Sequence, residues 1–534
     1  MVSTKADDGT PPGPEFNHLE TTPNSTAEEI LAAERSLSVL QNAKIHWRVL
    51  LIGKSPSSSV AYTAGVVFAY DTVTNGASIS MPSFLLYFGE MGPSGPYLPS
   101  IWTSLWTAMS SLTQALGAIL VGSVSDRYGR KWPACGASAV TLVGAAVQYV
   151  AVPRATLMGG KMITGLGVGA VMATATTYIS EVAPLKLRAP LQTCLVVFVL
   201  LTQGLALGVV RIFVPDIREQ AFRTVIAIQW AVGGLAVIAW AIAPESPLWL
   251  IKKGNTEAAL KVFKKIYGPN HPSLRLEHES NAIRAEQALE QNPDATYAAC
   301  FRAHNLKRTL TVAFLYSTAN IGGASFLAQN IYFLITAGLE AVHSFDVGIG
   351  GFGFAVLIIL SSGAYLQRVS RRNVVLAGLA LNLVVMVVVG ALWWQTARGA
   401  LWAIAVLMNV LISFQSAFLQ GAGWPIAAEV PSYALRAKTL SVGICAQTFT
   451  TWLFNFITPY MYNVDSGNLG ARTGFVYAGT SVFLLAAAWV LVPDTTGMTT
   501  EEIDHAYESG LAPRQFQKHV FPHAGNVGKA GDDD

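Results

Sequence analysis

Two charged residues, Asp71 and Lys161, lie in segments that are otherwise apolar. Asp71 follows the run VAYTAGVVFAY (60–70), and Lys161 lies near the start of GGKMITGLGVG (159–169). An uncompensated charge inside a bilayer costs a few kcal/mol or more, so such residues are usually paired and functional. A neighbouring cation favours the charged form of a carboxylate. The two residues lie at matching depths in their predicted spans, so they could pair if the two spans are neighbours. The alternative is that Asp71 lies in water beyond the end of its helix, while Lys161 extends to the membrane surface.

The composition indicates an integral membrane protein. Of 534 residues, 52% are hydrophobic and only 13% are charged, whereas soluble domains carry roughly 25% charged residues. The net charge of +3 gives no reason to expect a nucleic-acid partner. The four cysteines are far apart, and the nine histidines show no H-E-x-x-H spacing. We therefore expect no metal, no cofactor and no enzymatic activity.

Runs of about 20 apolar residues predict twelve membrane spans. Spans 1–6 lie near 57–76, 99–122, 132–151, 158–179, 190–210 and 222–243. Spans 7–12 lie near 309–335, 347–367, 373–394, 401–424, 438–462 and 472–492. The predicted fold is all-α, with a disordered tail (1–54), a six-helix half (55–243), a central loop (244–308), a second six-helix half (309–492) and a C-terminal tail (493–534). Within the central loop, 255–268 and 276–291 have helical patterns.

The distribution of basic residues predicts the orientation. If the N-terminus is inside, the short inner loops carry ten Lys and Arg residues and the short outer loops carry six. Cytoplasmic loops of membrane proteins are enriched in Lys and Arg. Both termini and the central loop are therefore expected to be cytoplasmic.

Three inner-loop motifs occur once in each half. The sequence EVAPLKLR (181–188) matches EVPSYALR (429–436), and SDRYGRK (125–131) matches LQRVSRR (366–372). PESPLWL (244–250) and PDTTG (493–497) each follow a sixth span. This repetition indicates duplication, and its charges could form a gate between rocking halves. The candidate gate residues are Asp126, Arg127, Arg130, Glu181, Arg188, Glu245, Glu429 and Arg436. Alternatively, the basic residues only anchor the inner loops.

These motifs resemble the sugar porter family of the major facilitator superfamily. The resemblance covers about residues 55–505 and rests on DRYGRK (126–131), PESPLWL (244–250) and PDTTGMTTEEID (493–504). The segments AEVPSYALRAKT (428–439), ITPYM (457–461) and GARTGF (470–475) are most similar to the fungal α-glucoside (maltose)/proton symporters. The resemblance implies the major facilitator fold, a central cavity between the halves and alternating access.

The resemblance also implies roles for individual residues. Asp71 would exchange the coupling proton, and Lys161, where relatives usually have arginine, would control its proton affinity. The implied substrate-binding residues are Gln203, Asn320, Ser325, Trp424 and Asn455. Hexose carriers commonly have amides where this chain has Val196, Ala319 and Thr451. Fewer amides suit a ligand with fewer hydroxyls. The retained polar residues could instead pack between helices.

The leading hypothesis is a monomeric, multi-pass plasma-membrane symporter of a proton and a sugar or sugar-like solute. The main alternative is a proton-linked transporter or exporter of a polyol or secondary metabolite. A non-transporting sugar sensor is disfavoured because the C-terminal tail has only about 40 residues. The predicted partners are the small solute, the proton and the lipid bilayer.

Overall fold

The structure, a computed structural model, describes residues 56–92, 95–183, 187–267, 296–365, 369–395, 398–432, 435–496, 498 and 500–516. Within these ranges, nine helices are long and apolar enough to cross a membrane. They correspond to predicted spans 2, 4, 5, 6, 8, 9, 10, 11 and 12. Spans 1, 3 and 7 are also helical, although span 7 is interrupted. The predicted all-α, multi-pass membrane fold is confirmed.

The first half packs through small residues. Its spans 1–6 are the helices Pro56–Ala77, Ser100–Tyr128, Lys131–Tyr149, Arg154–Val182, Arg188–Phe213 and Glu219–Ile242. A short helix, Pro82–Phe88, and an antiparallel pair of strands, Glu90–Gly92 and Gly95–Tyr97, connect spans 1 and 2. Spans 2 and 4 approach so closely that a Cβ at Gly169 would lie 1.8 Å from the Gln114 carbonyl oxygen. Glycine at such contacts lets membrane helices pack backbone to backbone.

The second half contains two irregular spans. Spans 8, 9, 11 and 12 are the helices Ala341–Tyr365, Arg371–Leu392, Arg436–Tyr462 and Thr473–Leu491. Span 10 consists of Arg398–Phe414, a π-helical segment Gln415–Gln420 and Gly421–Glu429. Span 7 consists of Ala303–Ile321, Ala324–Ala328 and Asn330–Thr336. The halves meet where span 2 packs on span 11 and span 5 packs on span 8.

The interruption of span 7 has a local cause. Gly323 has a φ of +102°, a conformation that glycine adopts without steric cost. The neighbouring Gly322 carbonyl accepts hydrogen bonds from Asn382 at 2.9 Å and from Gln415 at 3.3 Å. Buried amides thus satisfy backbone that the bilayer cannot hydrate. The prediction of one continuous span over 309–335 was wrong in this respect.

We call the end of the bundle that carries the 2–3 loop and the central loop the inner end, and the opposite end the outer end. The central loop contains the helices Pro247–Lys252, Thr256–Tyr267 and Tyr297–Cys300. The second of these confirms the predicted helix at 255–268, whereas the patch at 276–291 and the tail 1–54 lie outside the described residues. The sequence did not predict the helix Thr500–Glu508, where Asp504 pairs with Arg308 of span 7.

Candidate functional site

Asp71 and Lys161 are both buried in the first half. Asp71 lies within the helix of span 1, which continues to Ala77, and is only 2% exposed; Lys161 of span 4 is 1% exposed. Neither residue therefore reaches water as the alternative interpretation required. Asn75 connects them: its side-chain amide donates to Asp71 Oδ2 at 2.9 Å, and its backbone carbonyl accepts from Lys161 Nζ at 3.3 Å. The link runs through Asn75, whose role the sequence did not predict.

The second carboxylate oxygen of Asp71 faces a small polar cavity. Asp71 Oδ1 is buried without a hydrogen-bond partner in the structure, and so are both amide atoms of Gln229 on span 6. The cavity between them has a volume of about 10 Å³ and is also lined by Thr141 and Thr164. One water molecule requires about this much space and two or more polar partners. The cavity beside the carboxylate is therefore at the lower size limit for one water molecule.

A larger cavity lies between the two halves. It has a volume of about 180 Å³ and is lined by spans 1, 5, 7, 8 and 10. Span 1 contributes Thr72, Val73, Gly76 and Ala77, so this helix carries the large cavity on one face and Asp71 on another. Much of the wall is apolar, and among the described residues the lining contains no Lys, Arg, Asp or Glu. This composition suits an uncharged ligand.

Two amides at the large cavity have no described hydrogen-bonding partner. They are Gln203 on span 5 of the first half and Asn330 on span 7 of the second half. Other polar groups of the lining are already bonded: Gln329 accepts from Tyr462 at 2.7 Å, and Asn409 donates to the Ala405 carbonyl at 2.9 Å. Gln203 and Asn330 are therefore the groups most available to a ligand, one from each half. The sequence predicted Gln203 but missed Asn330, a polar residue within predicted span 7.

The other predicted substrate residues do not line the large cavity. Asn320 donates to Thr451 at 2.8 Å and so joins spans 7 and 11. Trp424 stacks on Tyr316 with ring centroids 5.7 Å apart, and Ser325 is buried. Asn455 donates to the Ser111 hydroxyl at 2.9 Å and joins span 11 to span 2 across the halves. In this conformation Asn320 and Asn455 make contacts between residues of the protein, as the packing alternative expected. Trp424 contacts Tyr316.

The inner end of the first half carries a compact charge network. Arg130 pairs with Glu181 at 2.7 Å and with Asp126 at 2.9 Å. Glu245 accepts from the backbone N–H of Arg130 at 2.6 Å. The network requires glycine at 129, where φ is +91° and a Cβ would lie 2.3 Å from a Glu245 carboxylate oxygen. Four of the predicted gate residues thus form a single cluster that ties together spans 2, 3, 4 and 6.

The second half repeats this arrangement with a partner that the sequence did not single out. Glu429, at the end of span 10, pairs with Arg371, at the start of span 9, at 2.5 Å. Asp494, which follows span 12 as Glu245 follows span 6, accepts a hydrogen bond from the Ser370 hydroxyl at 2.5 Å. These matched contacts support the duplication.

Three predicted gate residues stand apart from these clusters. Arg127 lies over the ring of Tyr128 at 5.4 Å, and Arg436 Nε is buried without a partner in the described structure. The side chain of Arg188 lies outside the described residues. Each ion pair described at the inner end therefore joins elements of the same half.

The outer end is closed by contacts between the halves. Asp465, in the loop between spans 11 and 12, accepts hydrogen bonds from the Ser100 backbone N–H, at 2.7 Å, and from its hydroxyl. Asn463 donates to the Leu98 carbonyl at 2.6 Å, and Arg211 of span 5 pairs with Asp346 of span 8 at 3.0 Å. These contacts join the two halves on the outer side.

Comparison with known proteins identifies the family. The family model described as "Sugar (and other) transporter" matches residues 58–507. The chain belongs to the sugar transporter family. This transporter is 41% identical to "MFS transporter fmqE" of Aspergillus fumigatus over 94% of this chain and 95% of that protein. It is 24% identical to the "General alpha-glucoside permease" of Saccharomyces cerevisiae over 95% of this chain and 86% of that protein.

The solved structures show the same fold. The inward-open xylose transporter XylE from E. coli superimposes with a TM-score of 0.65 at 19% identity, covering 84% of this chain and 98% of that one. The sugar transporter family and the fold confirm the resemblance and the major facilitator architecture that the motifs indicated. Membership also identifies the protein as a membrane transporter rather than an enzyme.

Proposed function

We propose that this transporter is a symporter that moves a proton together with an uncharged sugar or sugar-like solute by alternating access. The observation that carries the proposal is the placement of the two cavities on span 1. Asp71 faces the small polar cavity, while Thr72, Val73 and Gly76 line the large one. A change in the charge of Asp71 therefore acts on the helix that contacts the solute.

The surroundings of Asp71 support its role as the proton site. Of its two carboxylate oxygens, one is held by Asn75 and the other has no described partner. Lys161 donates a hydrogen bond to the Asn75 backbone carbonyl at 3.3 Å rather than to Asp71 itself, so its influence on Asp71 changes when spans 1 and 4 shift. A neighbouring cation favours the carboxylate, and its withdrawal in a low-dielectric interior favours the acid.

The large cavity supports solute binding between the halves. Gln203 and Asn330 can each donate and accept hydrogen bonds, and they belong to different halves. A solute that bonds to both stabilises the halves in their closed arrangement. An α-glucoside-like sugar is the first candidate because two amides can bind its hydroxyls and the apolar wall can contact its ring faces.

A second candidate is a polyol or a secondary metabolite, moved inward or outward. The apolar character of the cavity wall favours the secondary metabolite, since Leu200, Leu207, Ile331, Phe352 and Ile412 offer no hydrogen bonds from their side chains. A sugar or a polyol with many hydroxyls would need a partner for each one that loses water. Residence in the plasma membrane and a cytoplasmic inner end belong to the same proposal. The excess of basic residues in the inner loops supports the cytoplasmic inner end.

The test uses purified protein in proteoliposomes with an imposed pH gradient and a panel of labelled sugars, polyols and aromatic metabolites. We expect gradient-driven accumulation of one class. In Asp71→Asn, accumulation should be lost while exchange of labelled for unlabelled solute persists. Asp216→Asn, at an outer-loop carboxylate that pairs with Arg218, is the control and should behave like the wild type. Accumulation by Asp71→Asn equal to wild type would remove Asp71 from the coupling mechanism.

A further inference from the structure

A basic groove lies at the inner end, away from both cavities described above. It has a volume of about 520 Å³ and runs between the start of span 3, the end of span 6 and the helix Thr256–Tyr267. Lys131, at the start of span 3, lines one side of the groove. Lys261 and Lys265, on the helix Thr256–Tyr267, line the other side. Three lysines from two separate elements thus line one groove. Neither transport nor the charge network of the first half accounts for them.

The lysines have little internal compensation. Among the described residues, no carboxylate lies within ion-pair distance of Lys131 or Lys265. Lys261 pairs with Glu257 at 3.0 Å, but both side chains are more than 70% exposed, and such a pair contributes little. The one carboxylate in the groove, Glu245, already accepts from the backbone N–H groups of Arg130, Lys131 and Ser246. The groove therefore presents positive charge to a ligand.

One rim of the groove is apolar and faces the bilayer. Trp132 is the second residue of the span 3 helix and Ile242 the last residue of the span 6 helix, and each is 63% exposed. Both positions mark the inner boundary of the hydrocarbon, where tryptophan is enriched in membrane proteins. Lys131 lies over the Trp132 ring at 5.2 Å. Positive charge and exposed apolar surface thus adjoin at the depth of the lipid headgroups.

We propose that this groove binds the headgroup of an anionic phospholipid, with the phosphate between Lys131 and Lys265 and an acyl chain along Trp132 and Ile242. A soluble phosphate compound could bind the lysines, but it would leave the apolar rim unused. Anionic lipids are concentrated in the cytoplasmic leaflet, which is where the orientation proposed above places the inner end. Bound lipid would brace span 3 and span 6 against the helix Thr256–Tyr267 and so stabilise the first half.

The test compares two double variants of the full-length protein in neutral detergent. Lys131→Gln/Lys265→Gln removes two charges from the groove. Lys252→Gln/Lys264→Gln removes two exposed charges from neighbouring positions that do not line it. All the changed side chains lie at the protein surface, and the Tm of each variant without lipid checks that it folds. The Tm is then measured with phosphatidylserine, phosphatidylcholine, glycerophosphoserine or inorganic phosphate.

We expect phosphatidylserine to raise the Tm of the wild type and of the control pair by about 3 °C and to leave the groove pair unchanged. An equal increase in the groove pair, or an equal increase with phosphatidylcholine, would overturn the proposal. An equal increase with glycerophosphoserine or phosphate would assign the groove to a soluble anion instead. As a second readout, brominated phosphatidylserine should quench tryptophan fluorescence less in Trp132→Phe than in the wild type. Undiminished quenching would contradict the position of the acyl chain.

Discussion

Asp465 accepts a hydrogen bond at 2.7 Å from the backbone N–H of Ser100, the first residue of the span 2 helix. A carboxylate at a helix N-terminus satisfies free N–H groups and interacts favourably with the helix dipole. Because Asp465 belongs to the second half and Ser100 to the first, this contact stabilises the closed outer end.

The first prediction is that Asp465→Ala opens the outer end more often. Losing about 1 kcal/mol of contact free energy shifts the equilibrium roughly fivefold towards the open form. A cysteine placed at Ala77 in the large cavity, with the four native cysteines replaced, should react correspondingly faster with a membrane-impermeant thiol reagent. Asp216→Ala, which removes an outer carboxylate bonded within its own half, should leave the rate unchanged. Equal rates in both variants would show that the Asp465 contact does not hold the outer end closed.

The second prediction concerns Gln203 and Asn330. Each replacement by Ala should raise the KM for the transported solute by roughly tenfold, because a bound polar group of the solute loses its partner. The maximal rate should change less, and Gln395→Ala, an exposed amide outside the cavity, should match the wild type. An unchanged KM in both cavity variants would place the solute elsewhere.

The third prediction separates the two inner charge networks by burial. The side chains of Arg130 and Glu181 are 7% and 8% exposed, whereas those of Arg371 and Glu429 are 28% and 35% exposed. Breaking a buried pair costs about 3–5 kcal/mol because it leaves an uncompensated charge, and exposed pairs contribute less than about 1 kcal/mol. Arg130→Gln should therefore lower the Tm in detergent clearly more than Arg371→Gln. Similar decreases in Tm for the two variants would mean that the burial of an ion pair does not determine how much it stabilises this protein.

The fourth prediction tests the interruption of span 7. Gly323 and Gly338 have nearly the same φ, +102° and +101°, but a Cβ at Gly323 would lie 2.8 Å from Met386 Cε, whereas the space beside Gly338 is open. Gly338→Ala therefore carries only backbone strain, about 1 kcal/mol, and Gly323→Ala adds a packing clash. We expect Gly323→Ala to lower both the Tm and the transport rate more than Gly338→Ala. Equal effects would indicate that the break tolerates a side chain.

Much of the fold could be predicted from sequence because a bilayer requires long apolar segments. Spans such as Arg371–Leu392 follow directly from hydropathy, and the repeated acidic and basic motifs located the inner networks. The break at Gly322 and Gly323 could not be predicted in the same way. A glycine pair is compatible with a continuous helix. Whether the helix breaks there depends on hydrogen bonds from Asn382 and Gln415, which belong to distant spans.

The candidate site could be predicted from sequence only where a single residue stood out from its surroundings. The intramembrane charges of Asp71 and Lys161 were apparent from their apolar surroundings, but Asn75 between them looked like any polar residue near a helix end. Asn330 was visible only as a polar interruption of span 7. Its role depends on the short helix Asn330–Thr336, which places it in the lining of the large cavity together with Gln203. Such placement is a property of packing between halves, and a single sequence does not encode it in any local pattern.

The ion pair that joins the two halves at the outer end makes the protein sensitive to dissolved salt. Opening the outer end must part Arg211 from Asp346, a half-exposed pair that joins the halves. At the inner end, the described ion pairs stay within their own halves as the halves part. Dissolved salt screens exposed charges over a Debye length of about 8 Å at 0.15 M ionic strength. The salinity of the outer medium therefore influences how often the outer end opens, because salt screens the Arg211–Asp346 pair.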